Sequence, residues 1–235
     1  ASPECAQKRR PFPRTVPCLR SGIGMLQRAR DDALVYRKNS SAGDHKQADA
    51  HWIQALAVVA TMSDPPVDRV IGMHQTYGNM LFRIADYSRA SKAADAGLAL
   101  ADRHGVAVQS PVRANMLFAR AQALYGLNEL PTAESIARQA IRIQLQGVGP
   151  DGAQMGELFS LLGAILQSQH RFREALEAHT HSARLAKAVG TRPLDEALTW
   201  SNIGYLYTDY GDYPKALGAF EHSQAVLATS DLAAD

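Results

Sequence analysis

The sequence predicts an all-α protein built of repeated helix hairpins, and three observations lead to that prediction. A frame of small and large apolar residues recurs along the chain at a nearly constant interval. In its clearest copy, Gly211 divides two helical patterns, because glycine accepts left-handed backbone angles. The composition is that of an ordinary folded chain, with 46% hydrophobic and 20% charged residues.

The clearest copy of the frame lies near the C-terminus. Its first helix carries large and small apolar residues at helical spacing, and a Gly-Asp-Tyr turn at 211–213 follows. Gly204 is expected to let the two helices approach closely. Ala216 and Phe220 are four residues apart and therefore share one face of the second helix. The first-helix positions are Trp200, Ile203, Gly204 and Tyr207.

The same frame recurs four times upstream, and the first copy is degenerate. The anchor positions of the five copies are Tyr36, Gly78, Ala121, Gly163 and Gly204. Their spacings are 42, 43, 42 and 41 residues, an agreement that chance rarely produces. We therefore predict five repeats at about 29–65, 71–108, 114–150, 156–192 and 197–230.

This pattern resembles the tetratricopeptide repeat over residues 31–227. The interval exceeds the roughly 34 residues of the common repeat, and the extra length follows each second helix, at 103–111, 147–152 and 189–193. The junction at 140–152 is similar to that of long-period, kinesin-light-chain-like repeats. The resemblance implies a right-handed α-solenoid of about five antiparallel hairpins, a TPR-like superhelix in which neighbouring hairpins bury each other's apolar faces.

Residues 1–24 form a proline-rich basic arm, and 25–235 the predicted repeat domain. Residues 1–20 contain five basic side chains and one acidic one, Glu4, and so have a net charge of +4. Since the whole chain has a net charge of +2, the remainder has a net charge of −2. A nearly neutral body lacks the charge of a nucleic-acid binder. No apolar run approaches the roughly 18 residues of a membrane span. The basic stretch at 8–14 either contacts an acidic partner or anionic surface, or is a solvated arm.

The two ends of the chain leave several questions open. Cys5 and Cys18 could form a disulfide in an oxidising compartment or remain free thiols. Both a cytoplasmic and an exported (periplasmic or secreted) location remain open. The sequence stops at Asp235 after a second helix without a polar capping helix, so we expect a fragment followed by further repeats or an effector domain.

No catalytic, cofactor or metal site is predicted, and the protein is not expected to be an enzyme. Gly147, Gly149 and Gly152 match a dinucleotide-binding fingerprint by letter, but they follow a helix rather than a strand and so indicate a loop. His179 and His181 are two residues apart, which points them to different faces of a helix and prevents a shared metal. His179 takes the aromatic packing position of its repeat.

The resemblance implies that the first helices line a concave groove that binds peptides. Only Asn79 matches the family's carboxylate clamp, which argues against binding of chaperone tails. Amides, hydroxyls and aromatic rings in the groove suit a peptide backbone, although a merely solvated inner face is the alternative. The predicted groove residues are Gln75, Asn79, Phe82, Arg83, Phe118, Gln122, Tyr125, Gln167, Ser201, Tyr205, Thr208 and Asp209, with Ser160 and Ala164 in matching positions.

Two functional hypotheses follow from the resemblance. In the first, the protein is an interaction scaffold or adaptor that binds a peptide or protein segment in its groove. In the alternative, it is the regulatory or sensor region of a larger signalling or protease protein and acts in cis on an attached effector domain after residue 235.

Overall fold

A computed structural model describes residues 49–50, 52–57, 67–149, 153–189 and 193–228. Helices and short turns make up these ranges, which contain no strand, and the all-α prediction is confirmed. A short helical stretch at 49–50 and 52–57 precedes eight longer helices. In chain order these are α1 Val67–Arg83, α2 Tyr87–Arg103, α3 Pro111–Gly126, α4 Leu130–Gly147, α5 Ala153–Ser168, α6 Phe172–Val189, α7 Pro193–Tyr210 and α8 Tyr213–Ala228.

Consecutive helices pack as antiparallel hairpins, α1 with α2, α3 with α4, α5 with α6 and α7 with α8. Each hairpin turn contains one residue with positive φ, and these are Ala85, Asn128, His170 and Gly211. In every turn the N–H after that residue donates to a carbonyl five residues earlier, as in Asp86 to Leu81 at 2.9 Å. This pattern is a Schellman motif, which satisfies the last carbonyls of the first helix.

Small residues set the distance between the helices of a hairpin. A Cβ added at Gly204 would lie 2.5 Å from the Phe220 ring, and one at Gly163 would lie 2.6 Å from the His179 ring. The close approach predicted for Gly204 is therefore confirmed. Buried alanines continue this pattern along the second helices, at Ala90, Ala94, Ala133, Ala137, Ala175, Ala178, Ala216 and Ala219.

Successive hairpins stack in chain order. The second helix of each hairpin packs against the first helix of the next, and the first helices also contact one another, α1 with α3, α3 with α5 and α5 with α7. We call α1, α3, α5 and α7 the inner row. Stacking buries the apolar faces, since Met116, Leu158, Ile165 and Leu206 are all at most 2% exposed.

The junctions between hairpins occur where the sequence predicts them. The helix α4 ends at Gly147 and α5 begins at Ala153, so the glycine run lies between two helices rather than after a strand. The hairpins begin three or four residues before the predicted repeats. Pro111 and Pro193 explain part of this difference, because proline is favoured in the first helical turn and the repeat frame does not include it.

Several predictions fall outside the described residues. They concern the basic arm at 1–24, the cysteines Cys5 and Cys18, and most of the first repeat at 29–65. Trp52 and Ala55 of that repeat are described, and both are buried against α1. The division into an arm and a domain of five repeats stays a prediction.

Candidate functional site

The predicted groove residues lie on the four helices of the inner row. Four are on α1, three on α3, one on α5 and four on α7. Within each helix the set follows three- and four-residue steps, which keep side chains on one face. The inner-row helices that carry these positions contact one another in chain order. We call the set of predicted groove positions on these helices the strip.

The polar members of this strip are accessible, and two aromatic members are partly used in packing. Tyr205 is 61% exposed, and Asn79 and Asp209 are also exposed. Phe82 and Phe118 instead pack against the apolar clusters of the first and second hairpins. The two phenylalanines therefore stabilise the fold as well as offering surface.

A cavity of about 510 Å³ opens between α5 and α7 near the C-terminal ends of α3, α5 and α7, and we call it the α5–α7 cavity. It brings together four of the predicted groove residues, Tyr125, Gln167, Tyr205 and Asp209. The predicted members on α1 lie outside it. The structure thus concentrates polar and aromatic groups in the second half of the inner row.

Hydrogen bonds order the polar groups around the cavity. The Nε2 of Gln167 donates to the Asp209 carboxylate, which lies one hairpin further along. The Ser168 hydroxyl donates to the Tyr125 hydroxyl oxygen at 3.4 Å. The Asn202 amide nitrogen donates to the Ser160 hydroxyl, also at 3.4 Å. In this arrangement the side-chain oxygens of Gln167 and Asn202 are acceptors for a ligand.

Aromatic rings line part of the same cavity. Tyr205 makes an edge-to-face contact with Phe220, with ring centroids 5.2 Å apart. Phe172, at the start of α6, makes edge contacts with Tyr210 at 5.8 Å and with His170 at 5.9 Å. Such pairs hold their rings in fixed orientations, so the cavity has walls with little side-chain freedom to lose on binding.

His179 lies in the core, as its place in the repeat predicts, and it also lies beside the cavity, which was not predicted. The side chain is fully buried, and burial lowers its pKa to about 4, which keeps the imidazole uncharged at neutral pH. Neither ring nitrogen has a hydrogen-bond partner within the described parts of the chain. The one sequence signal is that histidine stands where the next hairpin has Phe220.

A network of ion pairs joins the second and third hairpins away from this cavity. Arg171 pairs with Glu134 at 2.6 Å and with Glu174 at 2.6 Å, and Arg138 also contacts both carboxylates. Partial burial raises the pKa of Glu134, but hydrogen bonds from Arg138 and Arg171 outweigh it and lower that pKa overall. The network adds polar contacts between the two stacked hairpins.

Other kinds of site receive no support from the described residues. They contain no group of three or more His, Cys, Asp or Glu side chains arranged to hold a metal ion. Within the same ranges, no helix is both long enough and apolar enough to cross a membrane.

A family model matches part of the second half of the chain. Residues 154–228, which span α5 to α8, match the family model described as tetratricopeptide repeat. The family match therefore covers the third and fourth hairpins. A comparison with curated proteins finds no relative that matches by sequence.

Solved structures extend the tetratricopeptide fold over most of the chain. BtubC (BKLC) from P. vanneervenii is 16% identical with a TM-score of 0.71, and the match covers 91% of this chain and 92% of that one. Kinesin-light-chain TPR-like repeats from Podosopora anserina are 16% identical with a TM-score of 0.66, over 88% of this chain and 98% of that one. The prediction of long, kinesin-light-chain-like repeats is confirmed.

A third similar structure is a Rap protein complexed with Competence and Sporulation Factor. It is 13% identical, with a TM-score of 0.72. The match covers 88% of this chain but 55% of the Rap chain, so the repeats described here correspond to about half of that protein. At these identities the three likenesses establish the fold.

Proposed function

We propose that the inner row of this tetratricopeptide domain binds a segment of another polypeptide. The observation that supports the proposal is the α5–α7 cavity, which four of the twelve predicted groove residues line. Repeats of this fold are in general protein-interaction scaffolds. One protein of similar fold, Rap, has been solved in a complex with Competence and Sporulation Factor.

The chemistry of the strip suits a peptide. Gln122, Gln167 and Asn202 offer amide groups that can both donate to and accept from a peptide backbone. Tyr125 and Tyr205 add large contact areas with only two rotatable bonds each, which limits the entropy lost on binding. A segment lying along the inner row would replace the water that now solvates these groups.

The alternative is that these repeats regulate a domain attached to them in cis. The observation in its favour is the partial coverage of the Rap chain, in which similar repeats form about half of a longer protein. In that case the inner row would bind a segment of the same polypeptide, and segments of unrelated sequence would not compete for it.

A peptide-display selection tests the first form of the proposal. The immobilised chain is used to select binders from a displayed random-peptide library, and each enriched peptide is synthesised for fluorescence anisotropy. Binding is compared between the wild type and the groove variant Asn79→Ala, Gln122→Ala and Tyr205→Ala. The matched control is Lys92→Ala, Ser135→Ala and Gln224→Ala, three exposed positions on second helices.

We expect the groove variant to bind at least about tenfold more weakly, a loss of roughly 1.4 kcal/mol, with the control unchanged. Circular dichroism must show equal helicity in all three proteins. Equal affinity of the groove variant and the wild type would overturn the assignment of the inner row. A selection that enriches no peptide would favour regulation in cis.

A further inference from the structure

We propose that the α5–α7 cavity holds a basic side chain, arginine or lysine, of the bound polypeptide. The inference rests on the proposed function and adds the residue type that the inner row selects. Three independent features of the cavity lead to it: its charge, the helix ends around it and its set of hydrogen-bond acceptors.

The charge of the cavity is carried by Asp209. Among the described residues that line it, Asp209 is the one acidic residue, and none is lysine or arginine. Two arginines adjoin the lining residue Phe172 in sequence: Arg171 pairs with Glu134 and Glu174, and Arg173 is exposed. Asp209 accepts a bond from Gln167, which is an uncharged amide and leaves the carboxylate's charge in place.

The helix ends add negative potential at the same place. The helices α3, α5 and α7 end beside the cavity, and a helix C-terminus carries roughly half a negative charge. None of the three has a basic residue in its last turn to offset this charge. Asp209 is itself in the last turn of α7, where a carboxylate is unfavourable. The helix α6 begins at the cavity with the opposite polarity, and its first turn contains both Arg173 and Glu174.

The hydrogen-bond acceptors in the cavity suit a ligand group that only donates hydrogen bonds. Guanidinium and ammonium groups donate in several directions and have no acceptor. The cavity offers the Asp209 carboxylate and the amide oxygens of Gln167 and Asn202.

The aromatic walls complete the match. Phe172 and Tyr205 line the cavity, and cations bind over the faces of such rings. A volume of about 510 Å³ exceeds what one long side chain needs, so a neighbouring residue of the bound segment can enter with it. An acidic side chain would instead meet Asp209 and three negative helix ends.

Positional-scanning peptides test this inference. Four fluorescent hexapeptide pools, degenerate except for one fixed residue, carry arginine, lysine, citrulline or glutamate at that position. Citrulline keeps the shape of arginine without its charge. Each pool is titrated against the wild type, Asp209→Asn and Asp68→Asn, which removes the same charge from an exposed site in the first turn of α1. A fourth protein, Asp209→Lys, reverses the charge in the cavity.

For the wild type we expect the arginine and lysine pools to bind at least about tenfold more tightly than the citrulline and glutamate pools. Asp209→Asn should abolish that preference, Asp68→Asn should keep it, and Asp209→Lys should favour glutamate. If all pools bind equally and the groove variant described above abolishes binding, the basic-residue inference fails while the proposed function stands. If a basic preference persists in Asp209→Asn, the cavity assignment fails. If no pool binds although peptides from the display selection do, the basic-residue inference fails; if those peptides do not bind either, binding of a separate polypeptide fails as well.

Discussion

His179 occupies a position that its counterparts in the other hairpins fill with purely apolar side chains. The equivalent residues are Ala94, Ala137 and Phe220, at the same spacing as the repeat anchors. All of the imidazole is buried against Gly163, and its two ring nitrogens lack partners among the residues with described positions. An unsatisfied buried polar group costs about 1–3 kcal/mol, so this residue lowers the stability of the third hairpin.

We predict that His179→Phe raises the free energy of unfolding, and that the gain grows as the pH falls. Removing the buried nitrogens should add about 1 kcal/mol at pH 7. The pKa of His179 is about 4 in the folded protein against an ordinary 6.5, so between those values the unfolded chain binds a proton that the folded chain does not. Wild-type stability therefore falls as the pH drops through this window, by roughly 2 kcal/mol between pH 7 and pH 5.

Urea unfolding of both proteins at pH 7 and pH 5 measures this difference. The other titrating groups, including His74 with its pKa lowered by burial and by Arg103, are common to both proteins and cancel. A gap between the two proteins that stays constant with pH would mean that folded His179 takes up its proton as readily as the unfolded chain. That result would contradict the burial described here.

The hairpin turn is the element that repeats most regularly. The residues with positive φ are spaced 43, 42 and 41 residues apart, in step with the anchors, and the same 2.9 Å bond recurs after each of them. One of the four is glycine, whereas Ala85 has φ of 59° and must bear the steric cost of its Cβ. That cost is about 1 kcal/mol for a left-handed residue other than glycine.

We therefore predict that Ala85→Gly stabilises the protein by about 0.5–1 kcal/mol, and that Gly211→Ala destabilises it by a similar amount. The matched control is Ala99→Gly, the same chemical change at an exposed position inside α2, where glycine should cost about 1 kcal/mol. Thermal and urea unfolding give the sign of each change. A loss of stability in Ala85→Gly equal to that in Ala99→Gly would contradict the turn geometry.

These turns mark one limit of prediction from the sequence. The frame anchors Gly78, Ala121, Gly163 and Gly204 predict the hairpins because each anchor reflects a local close approach between two helices. Gly211 is predictable as a turn because glycine favours positive φ. Ala85 and His170 are not, since their conformation follows from closing a hairpin between packed helices rather than from their own preference.

The candidate site shows a second limit. The repeat register predicts which face of each inner-row helix is available, and the structure places every predicted residue on those helices. The register does not predict how closely successive hairpins stack, because the stacking depends on contacts between side chains about 42 residues apart. The bond between Gln167 and Asp209, and with it the α5–α7 cavity, arises only at this level.

At the scale of the whole molecule, the apolar core is divided along the chain. One cluster joins α1 and α2 to part of α3, a second extends from α3 to Leu206 of α7, and a third joins α6, α7 and α8. Each of these clusters therefore joins hairpins that are adjacent along the chain. Stability in such a stack is approximately a sum of hairpin and interface contributions, so distant hairpins should respond independently to a core change.

Hydrogen exchange of two matched core variants tests that independence. Leu81 in α1 and Leu206 in α7 are both at most 2% exposed, and truncating either to alanine should cost about 2–5 kcal/mol. We predict that Leu206→Ala speeds amide exchange in α5 to α8 while α1 and α2 keep their protection. We expect Leu81→Ala to speed exchange in α1 and α2 while α7 and α8 keep theirs. Mass spectrometry of peptides from each helix under native conditions reports both. Equal acceleration in all hairpins of both variants would instead mean that the stack unfolds as one cooperative unit.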